Sequence, residues 1–188
     1  MLGVLLAAAA AWVQTLVYEP GEATQPVMTD GGLNEVISRA DYSVKLEGIE
    51  AARSLKIVKK GLPADVVKTD SLFLIAKVAG MATKRPTKLG TAYLLTEDGK
   101  RYDTTDMLPA GVSLNTRSVQ VGWWFRGLYF FEVPKEALPG ARIVVGPEPS
   151  PLFGEQFQFY ARMDPGLDED KAAKLAAQAK NDYQVVRR

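Results

Sequence analysis

The sequence predicts an all-β chain: one antiparallel β-sandwich of seven to nine strands, with an apolar helix in front and a short helix behind. Three observations carry this. From Tyr42 onward, short runs of alternating or continuous apolar residues recur about every ten residues. Clusters of Gly, Pro, Asp and Asn separate them. The opening stretch, MLGVLLAAAAAWVQTLVY at 1–18, carries no charge, whereas everything after it is polar enough for a globular domain.

Each element can be justified in order. Leu2 to Val17 is interrupted only by Gln14 and Thr15. As a helix it measures about 24 Å at roughly 1.5 Å per residue, short but usable for a hydrocarbon core of about 30 Å. The side chains expected in the bilayer are Leu2, Val4, Leu5, Leu6, Trp12, Val13, Leu16 and Val17. Three readings stand: an uncleaved transmembrane anchor, a cleaved signal, and a buried core helix. A signal peptide normally carries a basic segment before its apolar stretch; none is present here, which favours the anchor. Residues 19–34, EPGEATQPVMTDGGLN, have no period and read as an extended linker.

The sandwich is expected over 35–163. Tyr42, Val44 and Leu46 alternate with Ser43, Lys45 and Glu47, a half-buried strand. Residues 72–79, LFLIAKVA, form a near-continuous apolar run, expected at the centre of a sheet and covered on both sides. GMATKRPTK at 80–88 reads as a basic loop. Glu97-Asp98-Gly99-Lys100 lies between two strand-like runs; an Asp-Gly pair there signals a tight hairpin. Further strands are expected at Val119 to Val121, Gly127 to Val133, Ala141 to Val145 and Gln156 to Arg162, the last with Phe157, Phe159 and Ala161 on one face. In the tail, 164–188, Asp168 is placed to cap a helix whose apolar stripe is Ala172, Leu175, Ala176 and Ala179, followed by an extended end from Tyr183. Its deletion is expected to spare the sandwich.

Composition narrows the chemistry. Lys and Arg number 23 against 22 Asp and Glu, both signs interspersed, for a net charge of +1. That is not the basic stripe of a nucleic-acid binder, so no nucleic-acid partner is expected; Lys59–Lys60 and Lys84, Arg85, Lys88 read as solvated loops. The chain contains no cysteine, which removes disulfides, thiol nucleophiles, thiolate metal sites and lipid modification at a cysteine. It also contains no histidine, which removes the commonest general base and transition-metal ligand. A carboxylate enzyme or an oxygen-ligated calcium site would survive. Asp98, Asp103 and Asp106 lie near one turn, but no stretch has the spacing of a calcium loop. No cofactor, metal or enzymatic activity is expected.

The order of the segments resembles a known family. DYSVKLEGIE at 41–50, SLFLIAKVAG at 71–80, AYLLTEDGKRYDT at 92–104 and GLYFFEVPKEALPGARIVV at 127–145 look like the telokin-like, immunoglobulin-like extracellular domain of unknown function. That domain occurs in bacterial lipoproteins and membrane-anchored surface proteins. The resemblance spans about residues 35–147 and implies an immunoglobulin-like sandwich outside the cytoplasm. It brings no catalytic residues. The family's lipid-modified cysteine is missing, so anchoring would fall to the leader.

The segment Gly122-Trp-Trp-Phe-Arg-Gly127 is the strongest candidate for a contact site. Three successive aromatics on an extended chain cannot all face inward. In the following strand the family pattern sends Tyr129, Phe131 and Val133 inward and leaves Leu128, Phe130 and Glu132 outside. Trp123, Trp124, Phe125, Arg126, Leu128 and Phe130 therefore form the predicted partner-binding set, an aromatic group around an arginine, as in protein hot spots and membrane-interface belts. The competing reading places the tryptophans in the core or under a loop. Together these features predict a non-catalytic, single-pass module on the extracytoplasmic side of the cell membrane, an accessory or interaction subunit of a bacterial membrane protein assembly with an integral-membrane partner. The alternative is a secreted ligand- or glycan-binding sandwich with a cleaved leader.

Overall fold

The computed structural model describes residues 26–59, 61, 63–149, 151–152 and 158–186. The expected membrane helix at 1–18 lies outside the described residues, as do residues 19–25 of the expected linker. Among the described residues no helix is long and apolar enough to cross a membrane.

The strands are β1 (Val27–Gly32), β2 (Val36–Ser38), β3 (Tyr42–Val58), β4 (Asp65–Ala82), β5 (Thr87–Lys88), β6 (Thr91–Leu95), β7 (Arg101–Asp103), β8 (Ser118–Val119), β9 (Phe125–Val133), β10 (Arg142–Gly146), β11 (Phe159–Asp164) and β12 (Tyr183–Val186). The helix α1 is Glu169–Ala177. One sheet runs β1-β11-β10-β6-β7; the facing sheet runs β12-β3-β4-β9, with β2 also on β3; β5 and β8 form a small ribbon. The chain is thus a β-sandwich with a C-terminal helix, as read from the sequence. Its strands are more numerous than the predicted seven to nine. Nor is it wholly antiparallel: β1 joins β11 and β12 joins β3 in parallel.

The core lies between the sheets. Tyr42, Val44 and Leu46 of β3 meet Leu74, Ala76 and Val78 of β4, and Tyr129 and Phe131 of β9 come from the next strand. Burial carries two phenols inside, and each hydroxyl keeps an acceptor. Tyr42 donates to the Phe159 carbonyl at 2.6 Å, Tyr129 to the Leu89 carbonyl at 2.8 Å. Desolvation pushes both phenols well above the ordinary tyrosine value.

The apolar run on β4 is covered on both sides, as predicted, because the β3–β4 hairpin bends. Register shifts at Leu46/Gly48 and Ala52/Ser54 turn its far part. There Leu55 and Val185 pack with Phe73, Ile75 and Phe130 on the sheet's outer face. The Asp-Gly turn is where the sequence places it. Gly99 has φ +82°, and the Thr96 amide donates to the Lys100 carbonyl at 2.9 Å.

One expectation about segment limits needs correction. Residues 27–32, read as linker, are β1: they lack apolar alternation, and their place comes from backbone pairing with β11. A side chain at Gly31 would put its Cβ 2.7 Å from Ile37 Cγ1, so this glycine lets β1 approach β2. In β11 the expected faces hold: Ala161 enters the main core and Tyr160 lies on the other face, buried against Tyr93 and Val144, while Phe159 is exposed. The tail packs on the sandwich. Asp168 caps α1 by accepting from the Lys171 amide at 2.8 Å, and Ala172, 2% exposed, sits in the main core with Leu175, Ala176 and Ala179 packed against it. Beyond it the Lys180 amide donates to the Ala51 carbonyl at 2.9 Å and the Ser54 hydroxyl donates to the Asn181 carbonyl at 2.8 Å.

One end of the sandwich gathers the starts of β1, β3, β6, β9 and β11 and the ends of β4 and β10. The opposite end carries Leu95, Arg142 and the start of α1.

Candidate functional site: an aromatic groove on β9

The predicted contact segment leaves β8 and turns onto β9 at the gathered end. Gly122 has φ +73°, a conformation that favours glycine, and its amide donates to the Ala82 carbonyl at 3.1 Å. This corner precedes the regular strand, so the alternation argument does not govern the tryptophans. Trp123 is 76% exposed and Trp124 44% exposed. From Phe125 the chain is β9 and side chains alternate: Tyr129, Phe131 and Val133 enter the core, while Leu128 and Phe130 take the opposite face.

Phe130 is the correction within the predicted set. It faces away from the core as expected but is fully buried. The segment after β7 runs beside β9, its Thr105 amide donating to the Phe130 carbonyl at 2.9 Å, and Leu108 and Val112 close over the ring. Nothing local in the sequence marks this cover.

Trp124, Phe125, Arg126 and Leu128 line a groove of about 530 Å³, and Trp123 stands outside it. Its floor is Phe125, Gly127 and Leu128 of β9. One wall is the 111–117 segment, whose single 3₁₀ turn at Leu114–Thr116 lies against β9. The other wall is Gln184–Val186 of β12. Gly127 makes the first wall possible, since a Cβ there would fall 2.9 Å from Leu114 Cβ. The Ser113 hydroxyl donates to the Leu128 carbonyl at 3.1 Å and fixes the turn to the strand.

Two guanidinium groups flank the groove. Arg117 donates from Nε and Nη2 to the Gly111 carbonyl at 3.1 and 2.6 Å, and its Cζ lies 5.7 Å from the centre of the Phe125 ring, within cation–π range. Arg126 donates from Nε to the Glu47 carboxylate at 2.9 and 3.1 Å. Burial pushes the Glu47 carboxyl up, but Arg126 and Lys45 outweigh that and hold it below the usual carboxylate range. Arg117, Val112 and the β12 residues were not identified from the sequence, because they come from distant segments that only the bent hairpin and the 111–117 turn bring together.

Among the described residues the lining contains no carboxylate, lysine or tyrosine. Among the described residues no three Asp or Glu converge on a point where a metal ion could sit; Asp98, Asp103 and Asp106 stay apart. The groove is suited to binding. It offers an apolar floor, a strand edge with backbone groups at β12, and two cationic planes.

No family model and no curated protein sequence matches the chain. Solved structures do resemble it. The yjhA protein from Bacillus subtilis is 12% identical at a TM-score of 0.50, with 71% of this chain and 99% of that one covered. The ycdA protein, a candidate lipoprotein from Bacillus subtilis subsp. subtilis str. 168, is 20% identical at 0.49 over 76% of this chain. This chain spans 41% of it. MPT63, a secreted protein from Mycobacterium tuberculosis, is 14% identical at 0.48, with 74% of this chain and 98% of that one covered. At 12% identity the likeness to the yjhA protein extends to the fold alone.

Proposed function

We propose that the chain is a non-catalytic, membrane-anchored, extracytoplasmic module that serves as an accessory subunit of a bacterial membrane protein assembly, holding its partner through the β9 groove. The carrying observation is the groove itself: Trp124, Phe125, Arg126 and Leu128, picked out as a contact set, line one concave surface together with the free edge of β12. Such a surface accepts an extended segment that adds a strand to β12 and places an apolar side chain over Leu128. The uncharged leader supports anchoring, and the resemblance to the telokin-like extracellular domain supports the outer side of the membrane. Anchoring confines both partners to two dimensions and raises their effective concentration.

The test is site-specific photo-crosslinking in native membranes, with the reactive group at Leu128 or Val186 in the groove and at Lys174 on α1 as control. One membrane protein joined from both groove positions and not from Lys174 is the expected result. Equal capture at all three, or none in the groove, rejects the reading. A second reading draws on the exposed pair Trp123 and Trp124, whose rings could stack on sugars: a secreted glycan-binding module with its leader removed. It requires a mature chain lacking 1–18 and a carbohydrate affinity lost in Trp123→Ala.

A further inference from the structure

The exposed tryptophan and phenylalanine side chains among the described residues, Trp123, Trp124 and Phe159, all lie at the gathered end of the sandwich. Val27 and Val121, 48% and 41% exposed, join them there. Elsewhere the exposed large apolar residues are aliphatic and scattered, and need no explanation.

Among the described residues the same end carries more basic than acidic side chains. Arg39, Lys84, Arg85 and Lys88 surround it, with Asp41 and Glu148 as the described acids. Asp41 pairs with Lys84 at 3.4 Å and Glu148 with Lys88, which leaves Arg39 and Arg85 as the excess. Arg39 Cζ lies 5.6 Å from the centre of the Phe159 ring. Arg85 is exposed on the turn between β4 and β5.

This is also the end at which the chain enters the fold. Val27 opens β1, and only residues 18–26 separate it from the last leader residue, Val17. At full extension they reach about 30 Å. With the leader in the bilayer, so short a tether keeps the gathered end nearest the membrane and the α1 end away from it.

We infer that this end of the sandwich docks onto a bilayer surface of anionic lipid, with Trp123, Trp124 and Phe159 at headgroup level and Arg39, Lys84, Arg85 and Lys88 over the phosphates. The inference rests on the anchored reading above. It adds that the domain lies on the membrane in a fixed orientation, with the β9 groove held beside the surface. Indole rings favour the headgroup region for their amphipathic character, and basic side chains near an anionic surface add to the attraction.

The chain holds three tryptophans, Trp12, Trp123 and Trp124, so full-length Trp12→Phe reports on the docking end alone. It would be reconstituted into phosphatidylcholine–phosphatidylglycerol vesicles with brominated acyl chains, with flotation reading the anchor and quenching reading the docking. The expected result is a floating chain whose indole emission is quenched. In Lys84→Gln and Arg85→Gln the docked population should fall by about fivefold per charge removed, while flotation is unchanged. A chain that floats with unquenched indoles overturns the docking and leaves the anchor standing. Failure to float overturns both. Equal quenching in pure phosphatidylcholine vesicles rejects the anionic requirement.

Discussion

Phe130 and Trp123 belong to one aromatic stretch and should respond oppositely to truncation. The Phe130 ring is sealed between Ile75, Leu108, Val112 and Val185, so Phe130→Ala leaves a cavity on the outer face and should cost about 3–5 kcal/mol. Trp123, 76% exposed, makes little packing to lose; Trp123→Ala should change stability by less than about 0.5 kcal/mol. Urea unfolding of the two variants followed by circular dichroism decides it, and equal losses would contradict the placement of either ring. The outward direction of Phe130 was expected from the family resemblance, whereas three consecutive aromatics required only that at least one be exposed and did not single out Trp123. The burial of Phe130 was not legible in the sequence, because its cover comes from Leu108 and Val112 on a segment with no period of its own.

At the level of elements, the tail strand is held by a small charged network. Glu50 on β3 accepts from Lys77 at 2.6 Å and from Lys180 at 2.9 Å, and Lys180 Nζ lies 5.2 Å from the Tyr183 ring. Burial raises the Glu50 carboxyl, but the two lysines outweigh it and hold the group below the ordinary glutamate value. A carboxyl lowered in the folded state contributes stability in full above its unfolded value and loses it as pH falls through the lowered one. Acid should therefore loosen β12 before it unfolds the sandwich. Amide exchange at Gln184–Val186 should accelerate on acidification relative to β4, once corrected for the intrinsic pH dependence, and Glu50→Gln should show fast exchange already at neutral pH; no difference between the variants would remove the network from this role. Deleting 180–188 should cost about 2–4 kcal/mol, since it removes a strand and Val185 from the outer cluster, and an unchanged midpoint would overturn it. The helix was legible through Asp168 and its alanine stripe. The strand was legible only as an extended end, since pairing with a strand more than a hundred residues earlier leaves no local mark. β1 escaped notice for the same reason, its sequence being that of a loop.

Across the whole molecule, the two sheets share one core running from Tyr42 to Ala172, so they should unfold together. Tyrosine emission from the interior and far-ultraviolet dichroism should give one coincident urea transition; separate midpoints would show that the sheets are independent. The β-sandwich was legible because its hairpins are local and its apolar runs are short and regularly spaced. The groove was not, because its two walls are assembled from segments with no pattern in common.

The parallel seating of β12 on β3 has a consequence for how the protein is made. Ser54 bonds to Asn181 across 127 residues, so Leu55–Val58 is synthesised early and has no partner on that side until Tyr183–Val186 has left the ribosome or the export channel. During that interval the far hairpin presents an open edge. Native completion waits for β12, and a nascent chain held short of Tyr183 should pair with any other strand it meets.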